Sequence, residues 1–441
     1  MKETGAQAQL LDVTPEQEAR LYRDASLQAA GTPRNESIQA IVEVARELDQ
    51  KHIESAAEAL GYVHDGLRME FGRRRDGSFY QRLSGKTPVA VPPSSLREVA
   101  AGVCGYLADA SLGLVRQAEA YPLVVAVDVD SSRDVTRLTF EVDHMVADAV
   151  SMDILLNDFG LLYEASKADV RDQVVHDLRA RPGVSYLDHL SAQTVARSNG
   201  TLDRELAHWE GVIDVRGPLG AVDLDFLRHV PGRGLSDSES ATARVGAPEM
   251  RQLRRFARMR RVTVNCVIFA TLFRVFSKRV VGGGDLSLVI ANARRDVPSS
   301  ERVVGWLSTL ALLPGPTGDA GASSVLDATW SGLLDLMDNQ TVSFHEVKRS
   351  LRPQDYGKAR DYPWIFVSVV DARKITFGGV EMVRKRSAPT RAFPGVSIGV
   401  LVGEDSCEIS MMARRCDMLI PGALDELARE VAEVLEKAFT L

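Results

Sequence analysis

EVDHMVADAVS, residues 141–151, is the stretch on which the rest of the chain turns. Upstream of it, VTRLTFEVDH (135–144) alternates, with Leu138, Phe140 and Val142 on one face and Arg137, Thr139 and Glu141 on the other. That period of two predicts a strand ending at His144. YPLVVAVDVD (121–130) is β-branched, SSRD (131–134) is a turn, and the two strands form a hairpin. Downstream, Ile154, Leu155, Phe159 and Leu162 fall on one helical face, predicting a helix with Ser151 in its first turn and an end near Lys167. A strand, a short loop and a helix thus carry Asp143, His144, Asp148 and Ser151 within nine residues. Alternation places Asp143 and His144 on opposite faces if the strand persists to His144, so they would not act as a pair. The positive end of the following helix favours a neutral imidazole at His144, which suits a base or hydrogen-bond acceptor. Asp148 is placed to cap the helix or to pair with a distant arginine. A histidine at such a position is more often a structural residue than a catalytic one, so spacing alone does not assign it.

Outward from this stretch the chain reads as mixed α/β. Residues 1–35 predict a helix and a loop, and 38–71 begin as a strand and turn helical through Leu48, Ile53, Ala57, Leu60 and Val63. DGSF (76–79) is a turn between short strands. Residues 165–240 mix charged helices with Pro- and Gly-rich loops, which places a boundary within 175–205, taken at 190. A second αβ pattern follows. It has two helices in 250–280, a turn at GGGD (282–285), strands at 286–294, 303–314, 364–372, 395–402 and 406–414, and a closing helix at 423–439.

The chain has 441 residues, 45% hydrophobic and 26% charged, enough for two or three ordinary domains. A net charge of −7, from 53 basic and 60 acidic residues, argues against a nucleic-acid partner. The start MKETGAQAQLLD lacks a basic segment followed by an apolar one, and VTVNCVIFATLF (262–273) is too short to cross a bilayer. Four scattered cysteines, Cys104, Cys266, Cys407 and Cys416, form no CxxC pair and fit a reducing cytoplasm. The histidines form no HExxH pair, so no metal site is expected. GVSIG (395–399) matches the serine-hydrolase pattern, but its serine lies inside a continuous strand rather than at a strand–turn–helix elbow. RQLRRFARMRR (251–261), with six arginines, is a solvated helix face or a dock for an acidic partner such as a carrier-protein helix.

Several ordered pieces together resemble the condensation domains of nonribosomal peptide synthetases, members of the chloramphenicol-acetyltransferase-like acyltransferases. They are YVHDGLRMEF (62–71), DHMVADAVSMDILLNDFGLLYEA (143–165), SYLDHLSAQ (185–193), HWEGVI (208–213) and NARRDVPSSERVVGWLSTLALL (292–313). The resemblance runs from about 38 to 437. It implies two similar αβ lobes, 1–190 and 191–441, arranged in a V around a tunnel. Acyl donor and acceptor would enter from opposite ends on phosphopantetheine arms of acyl or peptidyl carrier proteins. It implies a cytoplasmic monomer with no bound cofactor, no metal, and no nucleic-acid or membrane partner.

The family's HHxxxDG motif reads DHMVADA here. His144 matches the second histidine, at the reaction centre, and Asp148 the aspartate that pairs with an arginine. That arginine is Arg295 by spacing from Val304–Gly305, with Arg294 as the fallback. Backbone N–H groups near Ala149 to Ser151 would help hold the developing oxyanion. Asp143 replaces the first histidine, Ala149 replaces the glycine, and Thr309-Leu310-Ala311 stands for the family's Asn-x-Leu. The segment also satisfies DxxxxDxxS, the heterocyclization signature, through Asp143, Asp148 and Ser151, yet keeps the histidine that subgroup usually lacks. The implied activity is condensation of a carrier-bound thioester with an amine or hydroxyl of a small-molecule acceptor. The alternatives are a non-catalytic recruitment module, a heterocyclization enzyme and a coenzyme A-dependent acyltransferase.

Overall fold

A computed structural model describes residues 10–29, 37–84, 89–90, 122–130, 135–197, 201–216, 222–228, 238–283, 286–295, 300–316, 321–339, 342–351, 364–371, 376–377, 380–381, 383–386 and 395–437. The expected turn at 131–134, Cys104 and the ends of the expected first and last helices lie outside them.

Two sheets organise the chain. The first is built around β2 (Ser37–Val44), β6 (Leu123–Asp130) and β7 (Val135–Asp143). With β5 (Val89–Ala90) and β14 (Val383–Arg386) the order is β14-β2-β7-β6-β5. The β6–β7 hairpin pairs Val125 with Phe140 and Val127 with Leu138. Alternation buries Leu138, Phe140 and Val142 completely. On the opposite face Arg137 is exposed, but Thr139 and Glu141 are buried, and Glu141 accepts a 2.7 Å bond from the Ser37 hydroxyl. Helices α1 (Pro15–Ala29), α2 (Gln50–Val63) and α3 (Ala149–Lys167) complete this half. The apolar stripe of α3, including Leu155, Phe159 and Leu162, packs in one core with Ile53 and Leu60 of α2. A separate small sheet joins β1 (Leu11–Asp12), β3 (Met69–Arg73) and β4 (Phe79–Leu83), in the order β1-β4-β3.

Helices α4 (Arg171–Arg179), α5 (Tyr186–Arg197) and α6 (Thr201–Arg216) lead onward. Tyr186 of α5 belongs to the first core and Trp209 of α6 to a second. The second sheet comprises β8 (Ser238–Val245), β9 (Ser287–Asn292), β10 (Thr309–Pro314), β11 (Trp364–Asp371), β15 (Gly395–Val402) and β16 (Cys407–Arg414). Its order is β10-β9-β11-β15-β16-β8, parallel at β9–β11–β15 and antiparallel elsewhere. The parallel strands read as near-continuous apolar runs because both faces are covered. Helices α7 (Ala247–Arg260), α8 (Val264–Phe276), α9 (Ala322–Asp338), α10 (Phe344–Leu351) and α11 (Ala423–Lys437) accompany it. The short strands β12 (Thr376–Phe377) and β13 (Val380–Glu381) form a hairpin before β14.

Two segments exchange between the halves. Strand β14, late in the chain, is an edge of the first sheet, pairing antiparallel with β2. The β9–β10 connection leaves the second sheet at Asn292 and returns at Thr309. Its Val303, Val304 and Leu307 pack in the first core. The strand expected over 303–314 therefore starts only at Thr309. The amides of Leu307 and Ser308, which sheet pairing would occupy, instead donate to the Asp148 carboxylate.

Candidate functional site: a loop between two buried carboxylates

Strand β7 ends at Asp143, one residue earlier than alternation implied, because the Asp143 side chain turns the chain. Its Oδ1 accepts the Met145 N–H at 2.8 Å and its carbonyl accepts the Val146 N–H at 3.1 Å. The same Oδ1 lies 3.1 Å from Nη1 of Arg20 on α1, and both side chains are buried. Asp143 is thus held by a guanidinium inside the first core, and that arginine partner is not among the residues singled out from sequence. The turn is also braced from α1 by Gln17, whose Nε2 donates to the Met145 carbonyl at 2.9 Å and to the Tyr186 hydroxyl at 3.1 Å.

Asp148 caps α3. It sits in extended backbone, and Oδ1 accepts the Ser151 N–H at 2.8 Å. Arg295 Nη2 lies 2.9 Å from the same oxygen, with Asp148 fully enclosed. Oδ2 accepts from the amides of Leu307 at 3.1 Å and Ser308 at 2.9 Å. Ser151 Oγ lies 2.8 Å from both Asp148 Oδ1 and the Gly305 carbonyl and accepts from the Gly305 N–H at 3.1 Å. Its single proton can serve only one of those two acceptors at a time. Asp148, Ser151 and Arg295 are therefore brought together. Arg294 is not part of this set: it is buried elsewhere, with a left-handed backbone at φ 45°. The Ser151 amide, one of the N–H groups considered for an oxyanion, is committed to Asp148.

A second clamp lies three turns along α3. Asp158 receives Arg302 Nη2 at 2.6 and 2.9 Å, and His64 Nε2 lies 3.1 Å from its Oδ2. Burial pushes the Asp158 carboxyl upward, but the hydrogen bond and charge of His64 and those of Arg302 outweigh it and hold the group below its usual value. The neighbouring HDG residues explain their place in the sequence. Asp65 accepts from the Ser185 hydroxyl at 2.9 Å and the Tyr186 amide at 2.7 Å, at the start of α5. A Cβ at Gly66 would stand 2.0 Å from the Val304 carbonyl oxygen, and one at Gly305 2.4 Å from the Tyr186 ring. Only glycine allows the crossing segment to lie this close.

Between the two carboxylates stands His144, the first residue of the turn and partly exposed. Its ring lies 4.3 Å from that of Trp306, tilted by 46°. Trp306 is not singled out by the sequence reading; the available signal is an aromatic directly after Gly305. The indole also lines a pocket with Glu16 and Arg294, which bounds this part of the molecule.

Other nucleophile candidates fall away. Ser397 of GVSIG is buried mid-strand in β15, opposite Phe366 and Met412. Burial pushes the Cys266 and Cys407 thiols up to about 12. Among the described residues no group of three or more His, Cys, Asp or Glu could hold a metal ion, and no helix is long and apolar enough to cross a membrane. In the arginine-rich helix α7, Arg254 donates to the carbonyls of Gly403 and Glu404 and Arg260 pairs with Asp327 at 3.1 Å, while Arg251, Arg255, Arg258 and Arg261 are exposed.

Two layered αβ halves, joined by a segment clamped at a DHxxxD loop, define a class in which a histidine is held between fixed carboxylates. The Condensation domain model matches residues 8–361, and the chain belongs to that family. It is 25% identical over 334 residues to a plipastatin synthase of Bacillus subtilis (strain 168), covering 74% of this chain and 9% of that protein. It is 24% identical over 230 residues to bacitracin synthase 1 of Bacillus licheniformis, covering 52% of this chain and 4% of that protein. The chain thus spans less than a tenth of the length of these curated relatives. Among solved structures it is similar to the X-domain from teicoplanin biosynthesis, with a TM-score of 0.73, 15% identity, and coverage of 99% of this chain and 97% of that one. It is equally similar to the first condensation domain of the calcium-dependent antibiotic synthetase in complex with a substrate analogue, with a TM-score of 0.72, 15% identity, and coverage of 97% and 96%. The mixed α/β fold is that of the condensation domains over nearly the whole chain.

Proposed function

We propose that this protein is a condensing acyltransferase that joins a carrier-bound acyl or aminoacyl thioester to an amine or hydroxyl. Lobes 1–190 and 191–441 would hold the two phosphopantetheine arms. The observation that carries the reading is the placement of His144: partly exposed, against Trp306, on a turn whose two flanking carboxylates are each fixed by an arginine.

A thioester is already activated, so the main task is alignment of nucleophile and carbonyl. The His144 imidazole accepts a hydrogen bond or proton from the attacking N–H or O–H as the new C–N or C–O bond forms. The C–S bond then breaks and the carrier thiol leaves with a proton. Positioned acid–base help of this kind contributes about 10²–10⁴-fold. With the Ser151 amide engaged by Asp148, the backbone N–H groups left for the developing oxyanion are those of Ala149 and Val150. Asp148, Ser151 and Arg295 position the loop and take no part in bond making. Asp143 is turned to Arg20 in the core, which weighs against an acceptor-activating role and so against heterocyclization.

A second reading is a recruitment module. It is supported by Asp143 and Ala149 at motif positions and by the similarity to the teicoplanin X-domain, a domain also solved in complex with OxyB. The deciding experiment loads carrier proteins with acyl groups, offers amine and alcohol acceptors, and follows product mass with wild type and His144→Ala. Product from wild type alone supports condensation, and a further loss of water would mark cyclodehydration. Product from free acyl-coenzyme A without any carrier would indicate the coenzyme A-dependent alternative. Carrier binding without product from either protein would favour recruitment.

A further inference from the structure

The two segments that meet at the site each leave one side chain uncovered, and those two side chains touch. Within 141–148 every residue is buried except His144, and within 303–307 every residue is buried except Trp306. Their rings lie 4.3 Å apart, tilted by 46°. Trp306 is held through both of its chain neighbours. The Gly305 N–H donates to Ser151 Oγ at 3.1 Å, and that hydroxyl lies 2.8 Å from the Gly305 carbonyl. The Leu307 N–H donates to Asp148 Oδ2 at 3.1 Å. Val304 and Leu307 anchor the same backbone in the first core. The indole is thus fixed from Asp148 and Ser151, the cap and first turn of the helix that follows the His144 turn. It also reaches the imidazole from the β9–β10 connection, so both halves of the chain hold the site.

Resting on the condensation reading, we propose that Trp306 is a positioning residue for His144, and that Ser151 acts on transfer through it. Ring packing holds the imidazole in one orientation toward the attacking group. When His144 accepts the proton of the attacking N–H or O–H, the imidazolium lies within the distance, about 6 Å, over which an aromatic ring attracts a cation. The indole therefore favours the protonated state that forms as the new bond is made. Trp306 itself takes no part in bond making.

The test follows single-turnover transfer from a loaded carrier protein, affinity for that carrier, and the His144 ring resonance in histidine-labelled full chain, identified by its absence from His144→Ala. Trp306→Leu should slow transfer about two- to thirtyfold, leave carrier affinity unchanged, and move the His144 resonance because the indole ring current is gone. Trp306→Phe keeps an aromatic ring and should retain most of the rate. Ser151→Ala releases Gly305 and should slow transfer and move the same resonance. Trp306→Leu/Ser151→Ala should be no slower than Trp306→Leu alone, because the two residues act as one unit. Should Trp306→Leu fail to fold, the longer Trp306→Met takes its place with the same expectations. A folded Trp306 variant without an aromatic ring that keeps the wild-type rate, while His144→Ala loses it, would overturn this inference and leave the condensation reading standing. Losses that add in full in the double variant would also overturn it. No transfer by wild type, or an unaltered rate in His144→Ala, would overturn the condensation reading and this inference with it.

Discussion

Asp143 and Asp148 stand at the two ends of one loop, both buried and both paired with an arginine, yet they do different work. Asp143 meets Arg20 within the first core and turns the chain through the Met145 amide. Asp148 meets Arg295 and receives the Leu307 and Ser308 amides, so it ties the segment crossing from the second sheet to the head of α3. One carboxylate shapes the turn that presents His144, and the other joins the halves of the molecule around it. The difference teaches that Asp148 is a junction between two parts of the chain, whereas Asp143 holds the entry to the turn.

The comparison is broken most severely at Asp148. Asp148→Ala leaves the Arg295 guanidinium buried without its partner and three backbone N–H groups without their acceptor. A loss of about 3–5 kcal/mol is expected for uncovering one half of a buried pair, measured by urea unfolding. Asp143→Asn keeps the amide-accepting oxygen and strips only the charge facing Arg20. It should cost less than Asp148→Ala because no backbone N–H loses its acceptor, about 3 kcal/mol for the Arg20 charge left without its counter-charge, and Arg20→Met/Asp143→Asn together should recover much of that. Equal losses at the two positions would contradict the distinction.

Acid sharpens the same contrast at the second clamp. The folded pKa of Asp158 is depressed, so its stabilisation is fully present above the unfolded value, near 4, and is lost as pH falls through the folded value. Unfolding midpoints of wild type should therefore fall below about pH 4. Asp158→Asn should be less stable at neutral pH and flatter in acid. The smallest effect belongs to Tyr186→Phe, which removes one of the two acceptors of Gln17 Nε2 and should cost about 1 kcal/mol.

Local patterning made much of this legible. The β6–β7 hairpin, the apolar stripe of α3 and the cap at Asp148 follow from residues adjacent in sequence. Arg295 was reachable by spacing once the family's order of motifs was seen. Arg20 and Trp306 were not, because their partners lie on another element and leave no periodic trace. The same holds for β14, whose register on β2 is set by a neighbour far earlier in the chain. The stretch 303–308 misled because Val303, Val304 and Leu307 are as apolar as a strand. Their burial is in the other half's core, and the Asp148 carboxylate has captured the amides that follow.

The central claim is that His144 moves the proton of the attacking group while the carboxylates around it only hold it in place. The most direct measurement is the single-turnover rate of acyl transfer from a loaded carrier, for wild type and His144→Ala, alongside carrier affinity and unfolding midpoint for both. The account predicts a rate loss of about 10²–10⁴-fold with affinity and midpoint nearly unchanged. An unaltered rate in folded His144→Ala would contradict it.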